Sequence, residues 1–160
     1  MPSIQPTAAE DVALLLAMTC ETGVFKPIEI ETLSQLFADY FAANDVVGHR
    51  CVSMIEEGRI VGFAYFGPEK MTEAAWCLYW IVTDRSHQGR GFGTSLLRYV
   101  ESEIRTAGGH VLFIETSSLP HYEPTCRFYL KHQYEREAVL RDYYARGDDK
   151  IIFRKDLTNW

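Results

Sequence analysis

A single domain with a mixed α/β sheet, spanning residues 1–160, is predicted for this chain, and three features predict it. Apolar residues make up 47% of the 160, so the chain is long enough for one well-buried core and too short for two domains of ordinary size. Strand-like and helix-like hydrophobic periods alternate along it, with no repeat, low-complexity tract or linker between them. A long apolar and aromatic stretch runs directly into "HQGRGFGTSLL", His87 to Leu97, where three glycines precede a run of helix formers.

The elements follow in order. A short strand around Ser3 to Gln5 leads to "TAAEDVALLLAMTCETG", in which Thr7 as N-cap, an early Glu-Asp pair and a terminal Gly23 mark a helix. Pro27 opens a second helix reaching Asn44, with Ile30, Leu33, Leu36, Phe37, Tyr40 and Phe41 at helical spacing. A hairpin pairs His49 to Glu56 with Arg59 to Phe66 across a Glu57-Gly58 turn. "AAWCLYWIVTD" shows no clean alternation, which suggests a strand buried on both faces at the centre of a sheet. After the glycine loop come a helix from Gly91 to Ala107, a strand "HVLFIET", a helix from Pro124 to His132 and a closing strand pair around "ARGDD". The order is β-α-α-β-β-β-α-β-α-β-β.

Composition narrows the function. A net charge of -6, with lysines and arginines scattered, argues against a nucleic-acid surface. Cys20, Cys51, Cys77 and Cys126 lack metal-ligand spacing and read as buried free thiols, as in a reducing cytoplasm, with no metal expected. The start carries no secretory signal and no stretch is long and apolar enough to span a bilayer, so the expectation is a soluble cytoplasmic protein without a membrane partner.

The glycine loop carries the chemistry. N–H groups in the first turn of a helix lack intrahelical partners and, with the macrodipole, form an anion site. Gly89, Gly91 and Gly93 keep side chains out of a phosphate's way, while Arg90 adds charge and Thr94 a hydroxyl. A tight turn packed closely on the preceding strand would use the same glycines. A Walker A loop needs a lysine that Gly93-Thr94-Ser95 lacks, and the glycine spacing also fits a dinucleotide fingerprint poorly.

Gln88-Gly89-Arg90-Gly91-Phe92-Gly93 resembles the Gln/Arg-x-x-Gly-x-Gly/Ala signature of the GNAT superfamily of acetyl-coenzyme A-dependent N-acetyltransferases, and the element order resembles that fold over nearly the whole chain. The resemblance implies a mostly antiparallel sheet of about six to seven strands flanked by about four helices. It implies acetyl-CoA as cofactor, its diphosphate on the backbone of Gln88 to Thr94 and its pantetheine arm along Ile81 and Val82, where the strand splays from its neighbour. It also implies an N-acetyltransferase in which an amine attacks the thioester directly in a ternary complex. Downstream, Phe128-Tyr129 and Tyr134 match a second stretch of the family, and Tyr129 falls where a tyrosine protonates or hydrogen-bonds the departing thiolate. Tyr122, Thr125 and Gln133 depart from the usual Asn, Ala and Gly, and the last departure suggests a changed helix exit.

Only a neutral amine attacks, and a lysine-like ammonium has a pKa of about 10.4, so a base or a water chain must deprotonate it. The family's carboxylate position on the fourth strand falls at Trp76 or Cys77, neither a normal base. Glu73 before that strand and Glu115 at the end of the next are the candidates, with His121 a third; each also reads as an ordinary surface or paired residue. Loops holding Tyr122, Glu123, Asp142, Tyr143 and Tyr144 are expected on the acceptor side, where aromatic and acidic groups suit a cationic amine. The expected acceptor is a small molecule of amino acid, polyamine or aminosugar type. A protein N-terminus or lysine, or a non-catalytic acyl-CoA-binding module, are the alternatives. A homodimer through the closing strand pair is possible for this fold.

Overall fold

The computed structural model describes residues 1–43 and 46–158, so the predicted helix end at Asn44 lies outside the described residues. The strands are β1 (Ser3–Pro6), β2 (Arg50–Glu56), β3 (Arg59–Pro68), β4 (Ala75–Thr83), β5 (Val111–Ser117), β6 (Glu135–Ala145) and β7 (Asp148–Asp156). The helices are α1 (Val12–Glu21), α2 (Pro27–Phe41), α3 (Phe92–Thr106) and α4 (Glu123–Lys131). This is the predicted order. The strands form a seven-stranded sheet ordered β1-β2-β3-β4-β5-β7-β6. Its β4–β5 pair is parallel, and β1–β2, β2–β3, β5–β7 and β6–β7 are antiparallel. The chain groups into two compact units, one from Met1–Gly67 and Trp80–Val100, the other from Pro68–Tyr79 and Glu101–Trp160, each in its described part.

In the first unit, the Glu57-Gly58 turn forms as predicted: the residues have φ of 50° and 75°, the left-handed pair that matches strand twist in a two-residue hairpin. Leu15 and Met18 of α1 and Leu33 and Phe37 of α2 pack with Cys51, Phe63, Tyr65 and Val82. The α2 stripe is narrower than its spacing predicts, with Phe41 exposed at the rim. Two expectations fail on α1. Thr7 is not its N-cap: its hydroxyl is buried against the Ser53 hydroxyl at 2.7 Å, and a 3-10 turn at Ala9–Asp11 leads into the helix instead. Cys20 is exposed rather than buried, because the buried side of α1 runs through Leu15, Met18 and Thr19. Gly62 of β3 is required by close approach, since a Cβ there would lie 2.9 Å from the Val82 carbonyl oxygen.

The second unit is built on β5 and β7. Leu112, Ile114, Ile151, Phe153, Tyr129 and Tyr134 are buried in it, with the Tyr129 ring against those of Phe153 and Tyr134. Tyr134 donates to the buried Glu101 carboxylate at 2.6 Å, and the Lys155 ammonium reaches the same group at 3.0 Å. Such a pair is held by geometry, and removing one partner would strand a desolvated charge. β4 departs from the expected double-sided burial: Trp76, Cys77 and Leu78 are buried, but Tyr79 is 40% exposed. The register of β4 with β5 runs from Ala75↔Val111 to Leu78↔Ile114, whereas the strands continue to Thr83 and Ser117. In β6, residues 141–144 bulge out between the Leu140↔Lys150 and Ala145↔Asp148 pairs. Asp142, at φ 55°, accepts from the Gly147 N–H at 2.8 Å, and its own N–H donates to Asp149 at 2.8 Å. The Asp148 and Asp149 pair thus shapes the hairpin: Asp148 is buried against the Ser117 hydroxyl, and the Asp149 N–H donates to Ser118 at 2.8 Å.

Candidate active site

The first unit presents the glycine loop as a backbone cradle. Asp84 closes its start: the carboxylate accepts from Ser86 at 2.6 Å and from His87 at 2.7 Å, and these hydrogen bonds, Ser86 first, hold it below the usual carboxylate range against the opposing effect of burial. The Gln88 amide donates to the Thr83 carbonyl at 3.3 Å, tying the loop to the end of β4. Gly89 and Gly91 have φ of 76° and 83°, conformations that L side chains rarely adopt, and the space a Cβ would enter at either is open. The α3 ladder begins with the Ser95 N–H on the Gly91 carbonyl at 3.0 Å, so the donors of Phe92, Gly93 and Thr94 precede its first rung. Phe92 is buried and anchors the loop with its ring, with the Arg90 guanidinium 5.1 Å from that ring's centroid. Only the Phe92 backbone is thus offered outward. This arrangement fits a diphosphate: positive φ, open space and helix-mouth donors converge on exposed Gly89 to Gly91. Ile81 is half-buried and Val82 buried, and a Cβ on Gly62 would fall 2.9 Å from the Val82 carbonyl oxygen.

The second unit gathers side chains around Cys77. Tyr129 on α4 is buried, with ring centroids of Phe153, Phe128 and Tyr134 at 5.4, 5.6 and 5.8 Å. Its hydroxyl makes no hydrogen bond among the described residues. Burial, then Cys126 and Cys77 nearby, push the phenol well above its usual pKa. The turn after α4 fixes its position: the Tyr134 N–H donates to the Tyr129 carbonyl at 3.0 Å and the Gln133 N–H to the Leu130 carbonyl at 3.2 Å. This is a Schellman cap with its C″ to C3 contact, the Tyr134–Tyr129 ring pair. Gln133 sits at the left-handed position with φ 66°, where the resemblance expects glycine. The changed helix exit is thus a strained residue in an unchanged turn.

Glu115 is not a free carboxylate. Lys150 lies diagonally across the β5–β7 ladder, its ammonium 3.1 Å from Glu115 and 3.7 Å from the Tyr143 ring centroid. Burial alone would lower the Lys150 pKa, but hydrogen bonds to Tyr143 and Glu115 outweigh it and keep the ammonium above the ordinary lysine value. The Tyr143 face expected to meet an acceptor cation therefore carries the protein's own cation, with the Tyr144 centroid 5.8 Å from it. Tyr122, expected at the acceptor side, is buried under His121, with centroids 4.5 Å apart. Glu73 lies exposed in the turn before β4, and Glu123 forms an exposed helix pair with Arg127 at 3.2 Å.

Sequence reasoning missed Glu69. It follows β3 and accepts from the Tyr79 hydroxyl at 2.8 Å, and it lies near enough to the Cys77 thiol to raise that group's pKa. Nothing in "GPEKMTEAA" marks it, because the contact depends on the turn that folds β3 back beside β4. Burial first, then Glu115 and Glu69, raise the Cys77 thiol far above its usual pKa, so it is neither a base nor a thiolate nucleophile at neutral pH.

These two regions belong to a known class. The acetyltransferase (GNAT) family model matches residues 15–134, and the chain belongs to that family. A protein from Desulfovibrio desulfuricans assigned to the same family is 34% identical, with a TM-score of 0.92 over 98% of this chain and 99% of that one. An aminoglycoside 6'-N-acetyltransferase from Enterococcus faecium is 21% identical, with a TM-score of 0.75 over 97% of each chain. A Salmonella typhimurium protein described as an acetyltransferase, solved with its cofactor acetyl-CoA, is 17% identical, with a TM-score of 0.75 over 98% of this chain and 94% of that one. No curated protein matches the chain. Family and fold make this protein an acetyl-CoA-dependent N-acetyltransferase. Among the described residues, no group of His, Cys, Asp and Glu is arranged to hold a metal, and no helix is long and apolar enough to cross a membrane.

Proposed function

We propose that the chain acetylates the primary amine of a small molecule, of amino acid, polyamine or aminosugar type, by direct attack in a ternary complex. The observation that carries this reading is the cradle at Gly89 and Gly91, where left-handed backbone and open space meet the mouth of α3. Gln88 to Thr94 hold the diphosphate and the main chain of Ile81 and Val82 holds the pantetheine arm. Acetyl-CoA, when bound, supplies an activated acyl group and a thiolate leaving group. Direct attack is supported by the state of Cys77 and Cys126, whose pKa values burial raises, which disfavours a covalent acyl-cysteine route.

Tyr129 stabilises the departing sulfur. A phenol of pKa about 10 giving its proton to a thiolate near 8.5 already runs uphill by about 2 kcal/mol. Burial of Tyr129 raises that barrier further. The hydroxyl therefore acts by donating a hydrogen bond while keeping its proton, a preorganised donor aimed at developing charge.

Thermal unfolding with and without acetyl-CoA tests the cradle. At about 100 times the dissociation constant, linkage stabilises the wild type by roughly 2.7 kcal/mol, a shift of several degrees. Gly91→Glu forces a side chain into a left-handed position and sets a carboxylate against the phosphates, so its shift should vanish. No shift in well-folded wild-type protein at saturating cofactor would remove this reading.

A further inference from the structure

The carboxylate that the reaction needs is absent from β4 but supplied beside it. Pro68 ends β3, and the Glu69 that follows is pinned at the backbone: its N–H donates to the Ala75 carbonyl at 2.8 Å, and its carbonyl accepts from the Thr72 hydroxyl at 2.9 Å. That turn points its side chain along the beginning of β4. There the carboxylate accepts from the Tyr79 hydroxyl at 2.8 Å, on the face of β4 that Tyr79 shares with Cys77 two residues earlier. Cys77 is also within electrostatic reach of Tyr129. Glu69 and Tyr79 are thus joined beside Cys77, in the same unit as Tyr129.

We propose that Glu69 is the general base that takes the proton from the acceptor ammonium, with Tyr79 as the positioning residue that holds its carboxylate. The proposal rests on the acetyl-transfer reading above and names the base that it lacks. Of the three nearby glutamates, Glu115 is engaged by Lys150, and Glu73 lies out in solvent on the turn. Glu69 is half-buried, and no lysine or arginine stands on it among the described residues. The charged and titratable groups around it are Tyr79 and Cys77 of β4, with Glu115 of β5 and Lys150 of β7 acting on Cys77. Lys70 and Glu73 share its turn.

The proton balance is closed. Glu69 accepts one proton from the ammonium, leaving a neutral amine whose lone pair forms the C–N bond. The C–S bond breaks with its electron pair on sulfur, under the Tyr129 hydrogen bond. The nitrogen's surplus proton passes to the thiolate through solvent, and Glu69 returns its own proton to water.

The test compares amines that need a base with amines that do not. A panel would run from glycinamide and glucosamine, whose ammonium groups lose a proton near pH 8, to N-acetyl-lysine amide and putrescine, nearer pH 10.4, values typical of about these amine classes. At pH 7.5, Glu69→Gln should lower kcat/KM for the high-pKa amines by about 100-fold and for the low-pKa amines by less than about fivefold. Glu69→Asp should recover part of the loss, and Tyr79→Phe should show a smaller loss with the same selectivity.

An equal loss for all amines, or no loss, would overturn the assignment while leaving acetyl transfer intact. Wild-type protein that binds acetyl-CoA yet acetylates no amine of the panel would overturn the small-amine reading and the Glu69 assignment with it.

Discussion

The loop from Gln88 to Thr94 presents its function in backbone atoms, whereas the group around Cys77 presents it in side chains from β4, β5, α4, β6, β7 and the turn after β3. The loop can be read from residue types, because only glycine occupies φ near 80° without strain and only a helix mouth leaves donors in a row. The Cys77 group cannot, because each contact depends on strand register. Glu115 meets Lys150 only because Ser117 pairs with Lys150 on the β5–β7 ladder. A backbone site tolerates most substitutions except those at its glycines; a side-chain site is sensitive at every member.

The largest expected effect falls beneath the side-chain group. Glu101→Ala would leave the Lys155 ammonium and the Tyr134 hydroxyl without their buried partner, at a cost of about 3 kcal/mol in denaturant unfolding. A Glu101→Leu, Lys155→Met double variant should recover the part that belongs to the stranded charge, the rest belonging to the Tyr134 hydroxyl left without its acceptor. An equally unstable double variant would mean that the group matters for shape rather than for charge pairing.

Next is the split between binding and chemistry. Tyr129→Phe should lower kcat about 100-fold while the melting shift given by acetyl-CoA stays as in wild type. A variant that loses the shift as well would merge the two regions into one binding function.

The smallest effect has the opposite sign. Gln133→Gly relieves a left-handed residue at the α4 cap and should stabilise the protein by about 1 kcal/mol, with Tyr129 kept in place by the same turn. A loss of stability would show that the Gln133 side chain, which donates to the Lys131 carbonyl at 3.1 Å, outweighs the strain.

Much of the architecture was legible. The order of strands and helices, the Glu57-Gly58 turn and the glycine loop follow from periodicity and from residues with restricted conformations. Thr7 misled because a threonine before a helix can cap it or turn inward, and Ser53, 46 residues on, decides which. Cys20 misled because α1 is apolar nearly all round, so spacing alone does not show its buried side. In the site, Tyr129 was found through its place beside Phe128, and its environment only through packing. Glu69 was invisible, because no spacing rule relates a residue after one strand to the fifth residue of the next.

The bulge in β6 also bears on how the protein behaves in crowded solution. Both ends of the sheet expose unpaired backbone, which invites strands from other molecules. β1 is four residues long and ends at Pro6, so it offers little to extend. β6 is eleven residues long and exposed along nearly its whole length, a serious liability for aggregation. The excursion at residues 141–144, with Asp142 in a left-handed conformation and Glu135, Arg136, Glu137 and Arg141 along the strand, breaks that edge into short charged runs. The segment that carries Tyr143 and Tyr144 to Lys150 thereby also keeps neighbouring molecules from adding a further strand to the sheet.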